Sequence, residues 1–107
     1  MEGAIDVMIL ETAVLHVKPE LADSFAASFR KASAIISSMT GYISHELQRC
    51  VDADKEYQYL LLVKWETLED HVVGFRTSPQ YLEWKQLLHH YYDPFPVVEH
   101  YERIHLN

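Results

Sequence analysis

The chain has 107 residues, enough for one domain with a single core. Hydrophobic residues make up 49% of it, so it should be globular rather than disordered. A formal net charge of -7, with no run of Lys or Arg, argues against nucleic acid and against an anionic membrane surface as partners.

The chain is read as one domain over 1–107, with residues 1–6 a flexible lead-in. Ile9 to Val17, ILETAVLHV, is rich in β-branched and apolar residues and predicts a strand. Pro19 stands where a helix favours its first residue. Leu21, Phe25, Phe29, Ala32, Ile36 and Met39 then recur at helical spacing, and Gly41 follows as a stop. Tyr42 to Val51 predicts a second strand, Asp52 to Glu56 a polar turn, and Tyr57 to Trp65 a third, central strand. Thr67 and Asp70 have the spacing of a capping box, with Asp in place of Glu, and open a helix to about Thr77. Ser78-Pro79 interrupts that helix and restarts it through about Tyr92. Asp93 to Pro96, DPFP, turns the chain into a last strand, Val97 to Ile104.

The order is two strand-helix-strand units in tandem. Right-handed crossovers then give an α+β, ferredoxin-like β-α-β-β-α-β antiparallel sheet with both helices on one face. Both faces of that sheet carry apolar residues. Leu10 and Val14 lie opposite Ala13, Leu15 and Val17; Leu60 and Leu62 lie opposite Tyr59, Leu61, Val63 and Trp65. Two helices cover one face, so the other predicts a homodimer packed sheet against sheet, a dimeric α+β barrel.

Cys50 is the sole cysteine, which excludes an intrachain disulfide and a thiolate cluster. No secretory signal or membrane-spanning run is visible, and a reducing cytoplasm is the expected location. Of seven histidines, His16, His45, His100 and His105 fall on predicted strands, and His71, His89 and His90 in the second helical region. None forms a pair at helical ligand spacing, so solvated or hydrogen-bonded histidines are expected rather than a metal site. No nucleophile elbow or Gly-rich phosphate loop is present.

The most informative stretch is Trp65 to Trp84, WETLEDHVVGFRTSPQYLEW. His71, Phe75, Ser78 and either Tyr81 or Leu82 recur every three to four residues, and Trp65 stands at the end of the preceding strand. Phe75, Tyr81 and Trp84 can be core residues, or walls of a flat apolar pocket in which Tyr and His supply the polar contacts.

These features resemble the antibiotic biosynthesis monooxygenase family of small dimeric α+β barrels. The resemblance runs from about Ile9 to Ile104. It rests on W-E-[ST]-x-x-x-H at Trp65 to His71, F-x-x-S-x-x-Y-x-x-W at Phe75 to Trp84, and the terminal strand VVEHYE. It implies a substrate pocket with Trp65, Phe75 and Trp84 around the ring of a small phenol- or quinone-like compound. His71 and Tyr81 would be the catalytic pair: the imidazole accepts a proton, and the phenol hydrogen-bonds a ring oxygen. Thr12, expected as a further substrate-binding residue, falls near the place of a first-strand asparagine in the haem-degrading branch, and the iron-ligand position falls at or beside Lys85. Both departures speak against haem cleavage, and His89, one turn beyond, would be the only rescue. The implied activity is monooxygenation without a tightly bound cofactor or metal; a non-catalytic ligand-binding barrel is the alternative.

Overall fold

The computed structural model describes residues 8–106; the lead-in expected at 1–6 lies outside them. Four strands form one antiparallel sheet: β1 (Ile9–His16), β2 (Tyr42–Arg49), β3 (Gln58–Trp65) and β4 (Val98–Glu102), in the order β2-β3-β1-β4. Helix α1 (Ala22–Ile36) links β1 to β2, and α2 (Pro79–Leu88) precedes β4. This is the expected ferredoxin-like arrangement, with β3 and β1 central.

Strand alternation decides what each face carries. On the inner face Ala13, Leu15, Leu61, Val63 and Trp65 are buried beneath Phe25, Phe29, Ala32 and Ile36 of α1. Full burial of one such side chain contributes about 1.5–3 kcal/mol. The outer face carries Leu10, Leu60 and Leu62, half-buried, and Val14, exposed, beside Tyr101 of β4.

Several boundaries differ from the sequence reading. Pro19–Leu21 forms a 3-10 turn before α1. That helix ends at Ile36, well before Gly41: the Ser37 and Ser38 hydroxyls donate back to the Ala34 and Ile35 carbonyls and close the last turn. Gly41 instead shapes the entry to β2, at φ +82, where its carbonyl accepts from Glu66 N at 2.7 Å.

The helical region after Trp65 departs further. Thr67 does cap it, accepting from Asp70 N at 3.1 Å, while its hydroxyl donates to the Asp70 carboxylate at 2.9 Å. Asp70–Phe75 is nevertheless π-helical, closed by Arg76 N donating to the His71 carbonyl. The break at Ser78 is where predicted, with the Ser78 hydroxyl accepting from Tyr81 N. Helix α2 stops at Leu88, and His89–Tyr91 tightens into a 3-10 turn.

Candidate active site

A cavity of about 350 Å³ lies between the inner face of the sheet and the second helical region. Ala13, Leu15, Leu61 and Val98 form its floor, and the small Ala13 leaves it room. Phe75, Tyr81 and Trp84 form an aromatic wall. Phe75 meets Tyr81 and Trp84 edge to face, with centroids 5.2 and 5.6 Å apart. Arg76 and Phe95, both exposed, stand at the rim.

Three polar side chains converge at one end of this cavity. Glu11 projects from β1 on the inner face, in phase with Ala13 and Leu15, and is 5% exposed. Its carboxylate accepts the Trp65 indole N–H at 2.9 Å. His71 lies 3.4 Å from the same carboxyl oxygen through Nε2 and stacks on Trp65 at 5.3 Å between ring centroids. Through Nδ1 it shares a 2.8 Å hydrogen bond with His100 Nε2, which β4 brings opposite Glu11 in the sheet register. The array thus runs Trp65, Glu11, His71, His100.

Burial sets its electrostatics. It raises the Glu11 carboxyl from 4.5 to about 7, against opposing pulls from the Trp65 N–H and the Arg76 guanidinium. It pushes His71 down to about 3, helped by Arg76 and His100. His100 is lowered as well, by burial and by Arg76. Both imidazoles are therefore neutral near pH 7, and the Glu11–His71 contact is not an ion pair. Such an array can hold its protons in two ways. With Glu11 protonated, its hydroxyl points to His71 Nε2, and His71 donates from Nδ1 to His100. With Glu11 ionised, each donor reverses.

Of the residues expected from the sequence, Phe75, Tyr81, Trp84 and His71 do line one cavity. Trp65 is fully buried behind His71 and reaches the site through Glu11. Thr12 does not join them. Strand alternation puts it on the outer face, paired with Leu62 and Glu99. Lys85 is no wall of the cavity; its ammonium sits 5.7 Å from the Tyr81 ring centroid. His89 lines the cavity and meets Phe95 edge to face at 4.8 Å. Glu11, Arg76 and His100 were not anticipated. Among the described residues, no group of three or more His, Cys, Asp or Glu is placed to hold a metal ion, and no helix is long and apolar enough to cross a membrane.

Comparison with known proteins agrees with this fold. The profile of the antibiotic biosynthesis monooxygenase family matches residues 8–87. The uncharacterised protein YczJ of Bacillus subtilis is 53% identical over 97 residues, covering 91% of this chain and all of that one. A crystal structure from Bordetella bronchiseptica, assigned to the antibiotic biosynthesis monooxygenases, superposes with a TM-score of 0.84 at 30% identity, covering 91% of this chain and 97% of the other. SnoaB, a cofactor-independent oxygenase from Streptomyces nogalater, shares the fold at a TM-score of 0.69 and 17% identity, over 94% and 95% of the two chains. An inner-face carboxyl–imidazole array, an aromatic-walled cavity and a ferredoxin-like sheet thus occur together in a chain that belongs to the antibiotic biosynthesis monooxygenase family.

Proposed function

We propose that this protein oxygenates a small phenol- or quinone-like compound without a tightly bound cofactor. The observation that carries the reading is the Glu11–His71–His100 array opening into an aromatic-walled cavity. In such chemistry the substrate supplies the electrons: loss of its hydroxyl proton gives an electron-rich ring that reacts with oxygen. The protein's work is to remove the proton, orient the ring and exclude water.

The roles follow from position. Phe75 and Trp84 bound the ring, and the Tyr81 hydroxyl donates to a ring oxygen. Glu11, titrating near 7, is better matched to take the hydroxyl proton than His71, which burial makes a weak base. His71 then acts as the relay from Glu11 to His100, and Trp65 fixes the carboxylate. The resemblance to SnoaB supports the absence of a cofactor requirement.

A cavity filled by its own aromatic side chains would favour a non-catalytic binding module; here the aromatic groups wall an open space instead. Haem cleavage is disfavoured because Thr12 faces away and Lys85 does not line the cavity. We further infer a homodimer through the outer face of the sheet, and a cytoplasmic location in keeping with the single Cys50.

The test is conversion of 1-naphthol to 1,4-naphthoquinone, which consumes one O2 and releases one water. Purified protein without added cofactor should take up oxygen and form quinone in equal amounts. Both His71→Ala and Glu11→Gln should slow turnover by about 10²–10⁴-fold, the usual contribution of a general base and its proton path. Rates within a few-fold of wild type in both variants would remove the array from the mechanism.

A further inference from the structure

Among the described residues, the walls of the cavity carry one side chain with a permanent positive charge. Arg76 stands at the rim, where the π-helical segment ends, and its side chain has no hydrogen-bonded or ion-paired partner among the described residues. The remaining titratable walls are Glu11, His71, Tyr81, His89 and Tyr92. Burial disfavours the charged form of Glu11, His71, His89 and Tyr92 alike. In a chain of net charge -7, this leaves a cavity whose lasting charge is a single guanidinium.

We propose that the cavity takes its aromatic ligand as an anion, with an ionised ring hydroxyl or ring carboxylate held against Arg76. The inference rests on the reading of this cavity as an aromatic-compound site and names the class of compound it selects. A guanidinium suits this task because its planar fork meets a carboxylate or phenolate with directed hydrogen bonds and keeps its charge at any working pH. It also closes the proton balance of the proposed reaction. A hydroxyaromatic compound that enters neutral becomes the bound anion by giving its proton to ionised Glu11. The negative charge moves from the carboxylate to the ring oxygen, where the guanidinium can hold it. No net charge is created in the cavity, which is what a low-dielectric site requires.

The test uses two near-isosteric probes, 2-naphthoate and 2-naphthamide, with quenching of tryptophan fluorescence as readout because Trp84 lines the cavity. Wild-type protein should bind the naphthoate about tenfold or more tightly than the amide, the usual worth of a hydrogen bond to a charged group. The preference should shrink as salt is raised. Arg76→Gln, at an exposed position, should abolish the preference, and Arg76→Lys should keep part of it. Equal binding of the two probes to wild type, or a preference that survives Arg76→Gln, would overturn the anion assignment while leaving the aromatic site intact. Binding of neither probe would overturn both.

Discussion

Glu11 makes the stability of this fold depend on pH in a direction unusual for a carboxylate. The folded chain keeps the Glu11 proton up to about 7, whereas the unfolded chain releases it near 4.5. Its stabilising contribution is therefore full below about 4.5 and lost as pH rises through 7. His71 has the opposite sign: the unfolded chain takes a proton below 6.5, and the folded chain resists until about 3, so stability falls on acidification. Between 4.5 and 6.5 the two slopes offset one another. Glu11→Gln removes the first and keeps an acceptor for the Trp65 N–H. Urea unfolding at about pH 4 and about pH 8 should show the variant gaining on wild type by about 3 kcal/mol between the two. Parallel profiles would mean that Glu11 titrates normally.

The residues of the site divide sharply in how legible they were. His71, Phe75, Tyr81 and Trp84 follow one another along a single helical region, so local spacing sufficed. Glu11 and His100 are 89 positions apart and meet only through the β1–β4 register. A signal for Glu11 was present nonetheless: it is a charge in phase with Ala13, Leu15 and Val17 on a face that has to be apolar. The same alternation rules Thr12 out of the cavity, and there a position carried over from relatives misled where parity would not have. Arg76 gave no signal, because a lone arginine after a helical turn is ordinarily solvated.

At the scale of elements, every strand and both helices were readable from residue type, helical spacing and turn signals, and the departures have local causes. Hydroxyl back-bonds from Ser37 and Ser38 end α1 early, so Gly41 was assigned to the wrong turn. The π-helical stretch was invisible because its apolar positions, His71 and Phe75, have the same spacing as an α-helix would need. Gly41 yields a prediction at this scale. A Cβ there would sit on a left-handed backbone and overlap the Asp70 side chain that Thr67 holds in place. Gly41→Ala should destabilise the protein by about 2 kcal/mol, since a left-handed non-glycine residue alone costs about 1–2. Equilibrium unfolding reads this directly, and a neutral substitution would mean that the turn relaxes freely.

For the whole molecule, the outer face of the sheet is the feature that no other element covers among the described residues. Leu10, Val14, Leu60, Leu62 and Tyr101 gather there on three adjacent strands. Two-fold pairing would bury them in an interface above roughly 2,000 Å², as obligate homodimers do. Sedimentation at low micromolar concentration should then give twice the 12.5 kDa chain mass, and Leu62→Glu should give the single chain. A wild-type protein that sediments at 12.5 kDa would remove the dimer. Strand β1 ties this question to the chemistry on the other side. Leu10 and Thr12 look outward, and Glu11 between them looks into the cavity. The strand is a partition shared by two rooms: whatever leans on one side steadies what hangs on the other. Separating the subunits by dilution should therefore speed amide hydrogen exchange along residues 10–13 and depress turnover over the same concentration range, although no partner residue need touch the substrate.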